Sequence, residues 1–362
     1  MQKLLTVTVP AYNAAPWLEY NLNSLCLPEL LSLLEILVID DGSTDGTGSI
    51  ADAYEARYSG TVRVIHKENG GHGSGINTGV RVATGLFFKV VDADDWVEEK
   101  AFRGLLSYLK ELVEGSAKNA KDNIGESNIL PDIVSSGFLW AYDNGSGNPE
   151  TFSKKAEIVR PFSGVHYKEI YRFSDIADRL YLKMHNITYR TALLKEHWRE
   201  IDEHCFYVDS EYITYPIPAV ESIAFFPEFV YRYRIGLESQ SMDPKKMRQN
   251  AGQYEQVLKS LLDFYRSDAV QQHCVSGDAG KRYIASIIAR VVAARIRIYL
   301  SLPISGQARD QLKAFDQILK EKAPEIWKAN QNKAVRLLRA SGYRLYKPIA
   351  MAVQQKYLHA IV

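Results

Sequence analysis

The stretch KVVDADDWVEE, from Lys89 to Glu99, sets three carboxylates, Asp92, Asp94 and Asp95, at the end of an apolar run and follows them with Trp96. Like charges so crowded repel one another, and a divalent cation relieves that repulsion. Hard cations such as Mg²⁺ and Mn²⁺ take oxygen ligands, often one or two carboxylates together with substrate phosphates. If the run is a strand with alternating side chains, Asp92 and Asp94 face one site and Asp95 turns away. The competing explanation is an Asp-rich turn that caps a helix starting near Glu98. A second cluster, VIDDGSTDGT (Val38 to Thr47), again places two carboxylates, Asp40 and Asp41, at the end of an apolar run. Ser43, Thr44 or Asp45 can cap the next helix, which leaves Asp40 and Asp41 unexplained. A carboxylate there can accept the N–H of a pyrimidine base, and Tyr12 at a neighbouring strand end can stack on the ring. The loop NGGHGSG (Asn69 to Gly75) is neither a dinucleotide fingerprint nor a P-loop, because the glycine spacing is wrong and no Gly-Lys-Ser/Thr follows.

Strands and helices must hold these clusters. Strand signals at Leu4 to Pro10, Glu35 to Asp41, Thr61 to Lys67 and Leu86 to Ala93 alternate with helical stretches at Ala15 to Cys26, Thr44 to Tyr58 and Gly75 to Thr84. Such alternation predicts a mostly parallel sheet flanked by helices, an α/β fold. Every polar cluster then falls at a carboxyl end of a strand, where such sheets bind ligands. A helix from about Glu98 to Val113 and a polar break from Glu114 to Asn128 follow. The next block, to about Met242, mixes short strands with the helical stretches SDIADRLYLKM and TALLKEHW, and the remainder is mainly helical. The expected domains are 1–115, 116–243 and 244–362.

The chain has 362 residues, 46% hydrophobic and 24% charged, enough for two domains with ordinary cores. No apolar run reaches the roughly 20 residues of a membrane span. The first residues lack an export-signal pattern, which predicts a cytoplasmic protein. Cys26, Cys205 and Cys274 lie far apart and show no metal spacing. Charge is segregated: Lys281 to Val362 holds 16 Lys+Arg against 4 Asp+Glu. Two stretches there, ARVVAARIRIYL (Ala289 to Leu300) and NKAVRLLRASGYRLYK (Asn332 to Lys347), have apolar positions at helical spacing, which predicts basic amphipathic helices on the inner face of an anionic membrane. Nucleic acid is not expected as a partner, since no recognition motif accompanies the charge.

VTVPAYN, VIDDGSTDGT, NGGHGSGINTG and VVDADDW, in this order and spacing, resemble the nucleotide-sugar-binding half of family 2 glycosyltransferases with the GT-A fold. The resemblance covers residues 4 to 98 and continues more loosely through FYVDSEY and YRYRIGLESQS. It implies a GT-A type Rossmann-like sheet, a Mn²⁺ or Mg²⁺ cofactor, a nucleotide-sugar donor, UDP-linked, and a glycan or lipid-linked acceptor in bacterial polysaccharide synthesis. It implies that Tyr12 and Asp40 hold the base, with Pro10, Asn13 and Asp41 shaping that pocket. Asn69, His72, Gly73 and Asn77 would lie along the donor, Asp92 would contact the ribose or metal, and Asp94 would be the main metal ligand. Lys89 would line the same pocket or cap its edge. In FYVD, Asp209 is the expected base of an inverting transfer, with Glu211 as rival, because Val208 stands where an acidic residue is common. Arg234 would share the diphosphate charge, with Ser239 to Ser241 closing over it, while Trp96 and His185 are candidates for the acceptor side. Two rivals remain. A sugar-nucleotide nucleotidyltransferase needs an early glycine-rich loop with an arginine, which TVTVPAYNAAP lacks. A non-catalytic nucleotide-sugar-binding scaffold is supported only by Val208.

Overall fold

Two fully buried strands anchor the parallel part of the sheet. Strand β1 (Leu5–Ala11) and strand β2 (Leu34–Asp40) are buried at every position, as strands covered on both faces must be. They pair in parallel from Leu5 opposite Leu34 to Ala11 opposite Asp40. Helix α1 (Ala15–Leu25), with proline in its first turn, and helix α2 (Thr47–Arg57) make the crossovers to β2 and β3 (Val62–His66). Helix α3 (His72–Val82) leads to β4 (Phe87–Val90), which joins the other side of β1. The computed structural model describes residues 2–121, 130–156, 164–235 and 244–359.

Beyond β4 the sheet becomes mixed. Its order is β3-β2-β1-β4-β9-β6-β10-β5, where β5 is Trp96–Val97, β6 Ile133–Tyr142, β9 Ile187–Arg190 and β10 Ser222–Ile235. Short strands β7 (Ser153–Ala156) and β8 (Ile170–Arg172) pair with β6 and β10. The helices of this half are α4 (Glu99–Lys121), α5 (Phe173–Ile176), α6 (Thr191–His197) and α7 (Asp209–Thr214). Strand β1 lies between β2 and β4, so the chain order reverses beside it and a crevice opens at the carboxyl ends.

Four expectations need correction. Helix α4 runs on to Lys121, past the break expected at Glu114. Helix α3 opens at His72, so half of the glycine loop is helical. The stretch SDIADRLYLKM keeps only a short helical turn, because Leu180, Leu182 and Met184 are buried in alternation, a strand period. Strand β4 ends at Val90, so Asp92 to Asp95 form a turn in which the Asp95 amide donates to the Asp92 carbonyl at 3.0 Å.

Contacts divide the chain into two compact units, Met1–Leu237 and Glu238–Val362. Among the described residues the second is built of helices: α8 (Pro244–Gln249), α9 (Ala251–Tyr265), α10 (Asp268–Gln271), α11 (Gly277–Ser301), α12 (Gly306–Lys322), α13 (Pro324–Ala329), α14 (Lys333–Ala340) and α15 (Tyr346–His359). Helix α11 is its axis, packed against α9, α13 and α15. The expectation of a surface amphipathic helix at 289–300 therefore fails: Ile288, Val292 and Ile296 are core, and Arg295 is buried in an ion pair with Glu255. Among the described residues no helix is long and apolar enough to cross a membrane.

Candidate active site

The acidic turn is held by residues far away in sequence. Asn21 on α1 donates to the carbonyls of Asp92 and Asp95 at 3.0 and 2.8 Å. From β10, the Tyr231 hydroxyl donates to Asp95 at 2.5 Å and accepts from the Asp92 amide at 3.1 Å, while the Arg234 amide donates to Asp95 at 2.7 Å. Arg234 also pairs with Asp94 at 2.9 Å and Asp143 at 3.2 Å, and stacks 4.2 Å over Trp17. Its guanidinium thus clamps the turn, a structural duty beside the expected donor role. The expected partners Ser239 to Ser241 lie outside the described residues.

The turn changes which carboxylates converge. Atoms of Asp92, Asp95 and His185 lie within 4.8 Å of one another, a possible cation site, whereas Asp94 is drawn to Arg234. Strand alternation does not make Asp92 and Asp94 converge, because β4 ends at Val90; Asp94, which the resemblance makes the main metal ligand, is half-exposed and paired with Arg234. Burial, then the charges of Asp94 and Asp92, push the Asp95 carboxyl well above its ordinary range. His185 is buried, and neither ring nitrogen has a hydrogen-bond partner among the described residues. Burial depresses its pKa to about 3, leaving a neutral imidazole, the form that binds metals. A bound divalent cation would take one of these unpartnered nitrogens together with the crowded carboxylates, so these residues fit one. Lys89, fully buried, donates to the carbonyls of His185 and Ile187 at 2.8 and 3.3 Å and so fixes the turn that presents the imidazole. Burial lowers its pKa to about 7.

His72 links this cluster to Asp209. Its Nε2 lies 2.8 Å from Asp92, and its Nδ1 lies 3.9 Å from Asp209 at the start of α7. Burial opposes a charged imidazole, but the Asp92 and Asp209 carboxylates outweigh it and lift the pKa to about 9. Desolvation by its surroundings and the charge of Asp92 raise the Asp209 carboxyl against the pull of His72, while 45% of its side chain still meets solvent. Val208 is fully buried where an acidic residue was expected, so it anchors α7. Glu211 is also fully buried, accepting from the Asp202 amide at 2.8 Å and the Tyr215 hydroxyl at 2.6 Å, with its pKa pushed up to about 7 by burial. Its carboxylate is thus closed off from solvent.

At the β1–β2 edge Tyr12 is 55% exposed. Asn13, with φ +49°, accepts from the Thr44 amide at 2.9 Å. Asp40 is buried, accepting from the Ser43 amide at 3.1 Å and meeting His66 at 2.8 Å; burial opposes ionisation, but these contacts lower its pKa overall. Asp41 and Pro10, expected to shape the base pocket, and Asn69, Gly73 and Asn77, expected along the donor, are all held by contacts within the protein. Asp41 is buried, paired with Lys67 at 2.8 Å and accepting from the Gly70 and Gly71 amides at 2.9 and 2.7 Å. Asn69 donates to the Asp41 carbonyl at 2.9 Å. Pro10 is buried against Gly75, and Gly73 abuts the Asp202 carbonyl so closely that no Cβ fits. Asn77 is fully buried, donating to the Ile201 carbonyl at 2.9 Å and accepting from its amide at 3.0 Å. Trp96, considered for the acceptor, is a core residue packed on Tyr20 and Phe152.

A patch that the sequence did not reveal adjoins the cluster. Trp140 and Tyr233, both half-buried, lie 4.9 Å apart, and Tyr233 packs 4.3 Å from the His185 ring. Lys183 sits over Phe138, Trp140 and Tyr181 at 5.6, 4.9 and 5.5 Å.

The chain resembles known proteins in sequence and fold. A family described as "Glycosyl transferase family 2" matches residues 6–130. The chain is 38% identical over 125 residues to the uncharacterized glycosyltransferase EpsJ of Bacillus subtilis, a stretch covering 34% of each protein. It is 30% identical over 211 residues to glycosyltransferase GlyG of Streptococcus pneumoniae, covering 52% of this chain and 68% of GlyG. In fold it is similar to the crystal structure of S. aureus TarS residues 1–349 in complex with UDP-GlcNAc, with TM-score 0.61, 18% identity, and coverage of 98% of this chain and 92% of that one.

Proposed function

From the premise that this chain belongs to glycosyltransferase family 2, we propose that it moves a sugar from a UDP-sugar to an acceptor hydroxyl with inversion, in bacterial glycan synthesis. The observation that carries the reading is the continuous line from Asp209 through His72 to Asp92, Asp95 and His185. It sets a solvent-reached carboxylate beside a cluster suited to a cation, the two groups that such a transfer needs.

Asp209 takes the acceptor proton as the hydroxyl oxygen attacks the anomeric carbon opposite the departing diphosphate. Its raised pKa makes it a better base than an ordinary carboxylate. Asp92, Asp95 and His185 would hold Mn²⁺ or Mg²⁺, which when bound supplies positive charge to the leaving diphosphate. His72 keeps Asp92 ionised and Asp209 oriented. Tyr12 offers a face for the base, and Asp40 a carboxylate for its N–H. The complex of TarS with UDP-GlcNAc supports a UDP-sugar as the donor class. The acceptor sugar lies on the Trp140 and Tyr233 rings, apolar faces that suit a sugar ring, with Lys183 at their edge.

Asp209→Asn tests the assignment. UDP affinity in Mn²⁺, read by calorimetry, stays at the wild-type value, while UDP release from the preferred UDP-sugar with acceptor falls by about 10²–10⁴-fold, the usual worth of a general base. Turnover within tenfold of wild type would remove Asp209 from that role.

A further inference from the structure

After Glu325 the sequence contains no Asp or Glu, yet seven Lys and Arg follow. The structure sorts these cations. Arg339 is internal, paired with buried Asp316 at 2.6 Å and stacked 4.2 Å over Trp327. Lys333, Arg336, Arg344 and Lys347 are exposed. On α14 the exposed residues Lys333, Arg336, Leu337 and Ala340 recur at the spacing of one helical face, while Val335 and Leu338 are buried. On α15 Lys347, Pro348, Met351, Ala352 and Gln355 form a second such face, with Tyr346 and Ala350 buried. The turn between the helices adds Arg344 and Leu345.

Three large apolar side chains stand among these four cations. Leu337, Leu345 and Met351 keep 53%, 43% and 46% of their surface exposed. One such side chain on a surface is ordinary. Three of them, set among cations in a stretch without Asp or Glu, have the composition of amphipathic helices that lie in a lipid interface.

We propose that the exposed faces of α14 and α15 dock the C-terminal unit on an anionic lipid membrane. Leu337, Leu345 and Met351 enter the headgroup boundary, and Lys333, Arg336, Arg344 and Lys347 meet the lipid phosphates. Nucleic acid would use the cations but leave the apolar side chains in water. A second copy of the chain would present the same positive charge and be repelled. This surface is independent of the glycosyl-transfer reading, and its test needs no activity.

The test is co-sedimentation of the full chain with phosphatidylcholine vesicles, with or without phosphatidylglycerol. The chain binds phosphatidylglycerol vesicles at low salt, binds pure phosphatidylcholine at least about tenfold more weakly, and loses affinity as salt rises. Lys333→Gln, Arg336→Gln, Arg344→Gln and Lys347→Gln each weaken binding about fivefold. The triple variant Leu337→Ser, Leu345→Ser, Met351→Ser removes the binding that survives high salt. Failure of the wild-type chain to bind phosphatidylglycerol vesicles at low salt overturns the proposal, as does binding that ignores phosphatidylglycerol content. Both of these use unaltered protein, so a variant that melts early costs nothing. DNA binding that matches vesicle binding and ignores the triple variant would assign the surface to nucleic acid instead. Dissolution of a dimer by that variant, without change in vesicle binding, would assign it to a second copy.

Discussion

Asn77→Ala separates a wall residue from a donor contact. Asn77 sits on α3 and forms a closed pair with the Ile201 peptide, 2.9 Å to its carbonyl and 3.0 Å from its amide, with Glu203 at 3.3 Å. Both Asn77 and Ile201 are buried, so water does not replace the lost amide freely. Leaving one buried donor and one buried acceptor unpaired costs about 1–3 kcal/mol each, or about 2–5 kcal/mol in all after partial relaxation. At about 2–4 °C per kcal/mol for a domain of this size, Tm falls by roughly 5–15 °C. The assay is thermal and urea unfolding without ligand, joined to UDP titration well below the new Tm. The expected outcome is a large loss of stability with UDP affinity within about threefold of wild type. A Tm within about 2 °C of wild type, combined with tenfold weaker UDP binding, would refute the wall assignment and restore Asn77 to the donor site.

Gly73→Ala places a methyl group against the Asp202 carbonyl and displaces the segment that leads to Asp209; a loss of about 1–3 kcal/mol is expected, and unchanged stability would contradict the packing described. The His72 pKa is raised from 6.5 to about 9, so its stabilisation is fully present below pH 6.5 and disappears as pH rises through about 9. In chelator-treated protein, unfolding free energy should fall by up to about 3 kcal/mol across that window, and His72→Gln should flatten the profile; a flat wild-type profile would remove the ion pair. His185→Phe preserves the ring that packs on Tyr231 and Tyr233 but deletes two unpartnered nitrogens. Metal-free Tm should hold or rise while the Mn²⁺-induced shift disappears, and a retained shift would exclude His185 as a ligand.

The alternation of strands and helices, and the gathering of polar clusters at strand ends, were legible because both depend on short-range pattern. Pairing at the acidic turn was not. Whether Asp94 or Asp95 faces the cation site depends on where β4 stops, and the stop is fixed by Asn21, Tyr231 and Arg234, 71 to 140 residues distant. The glycines and Asn77 looked like ligand contacts because close backbone approach has the same sequence mark whether the neighbour is a donor or Asp202. Amphipathic spacing at 289–300 failed for a related reason. A helix surrounded by other helices can keep one arginine inside if a carboxylate such as Glu255 meets it, and the sequence does not say which partner waits across the bundle. Lys183 could have been suspected from the alternation of Leu180, Leu182 and Met184, which turns it to the face opposite the core.

Lys89 has a further consequence for synthesis of the chain. Its ammonium finds its acceptors at His185 and Ile187, which also belong to or adjoin the strand covering the open side of β4. On the ribosome that strand emerges about 98 residues later, roughly 5–20 s at ordinary elongation rates. Until then β4 is an open edge carrying Phe87 and Phe88, and a hydrated lysine with an ordinary pKa serves as a gatekeeper against pairing with another nascent chain. Completion of the sheet converts that guard into an internal clamp. A fragment ending near residue 130 would therefore keep the guard and the open edge together, which predicts poor solubility for the isolated first half.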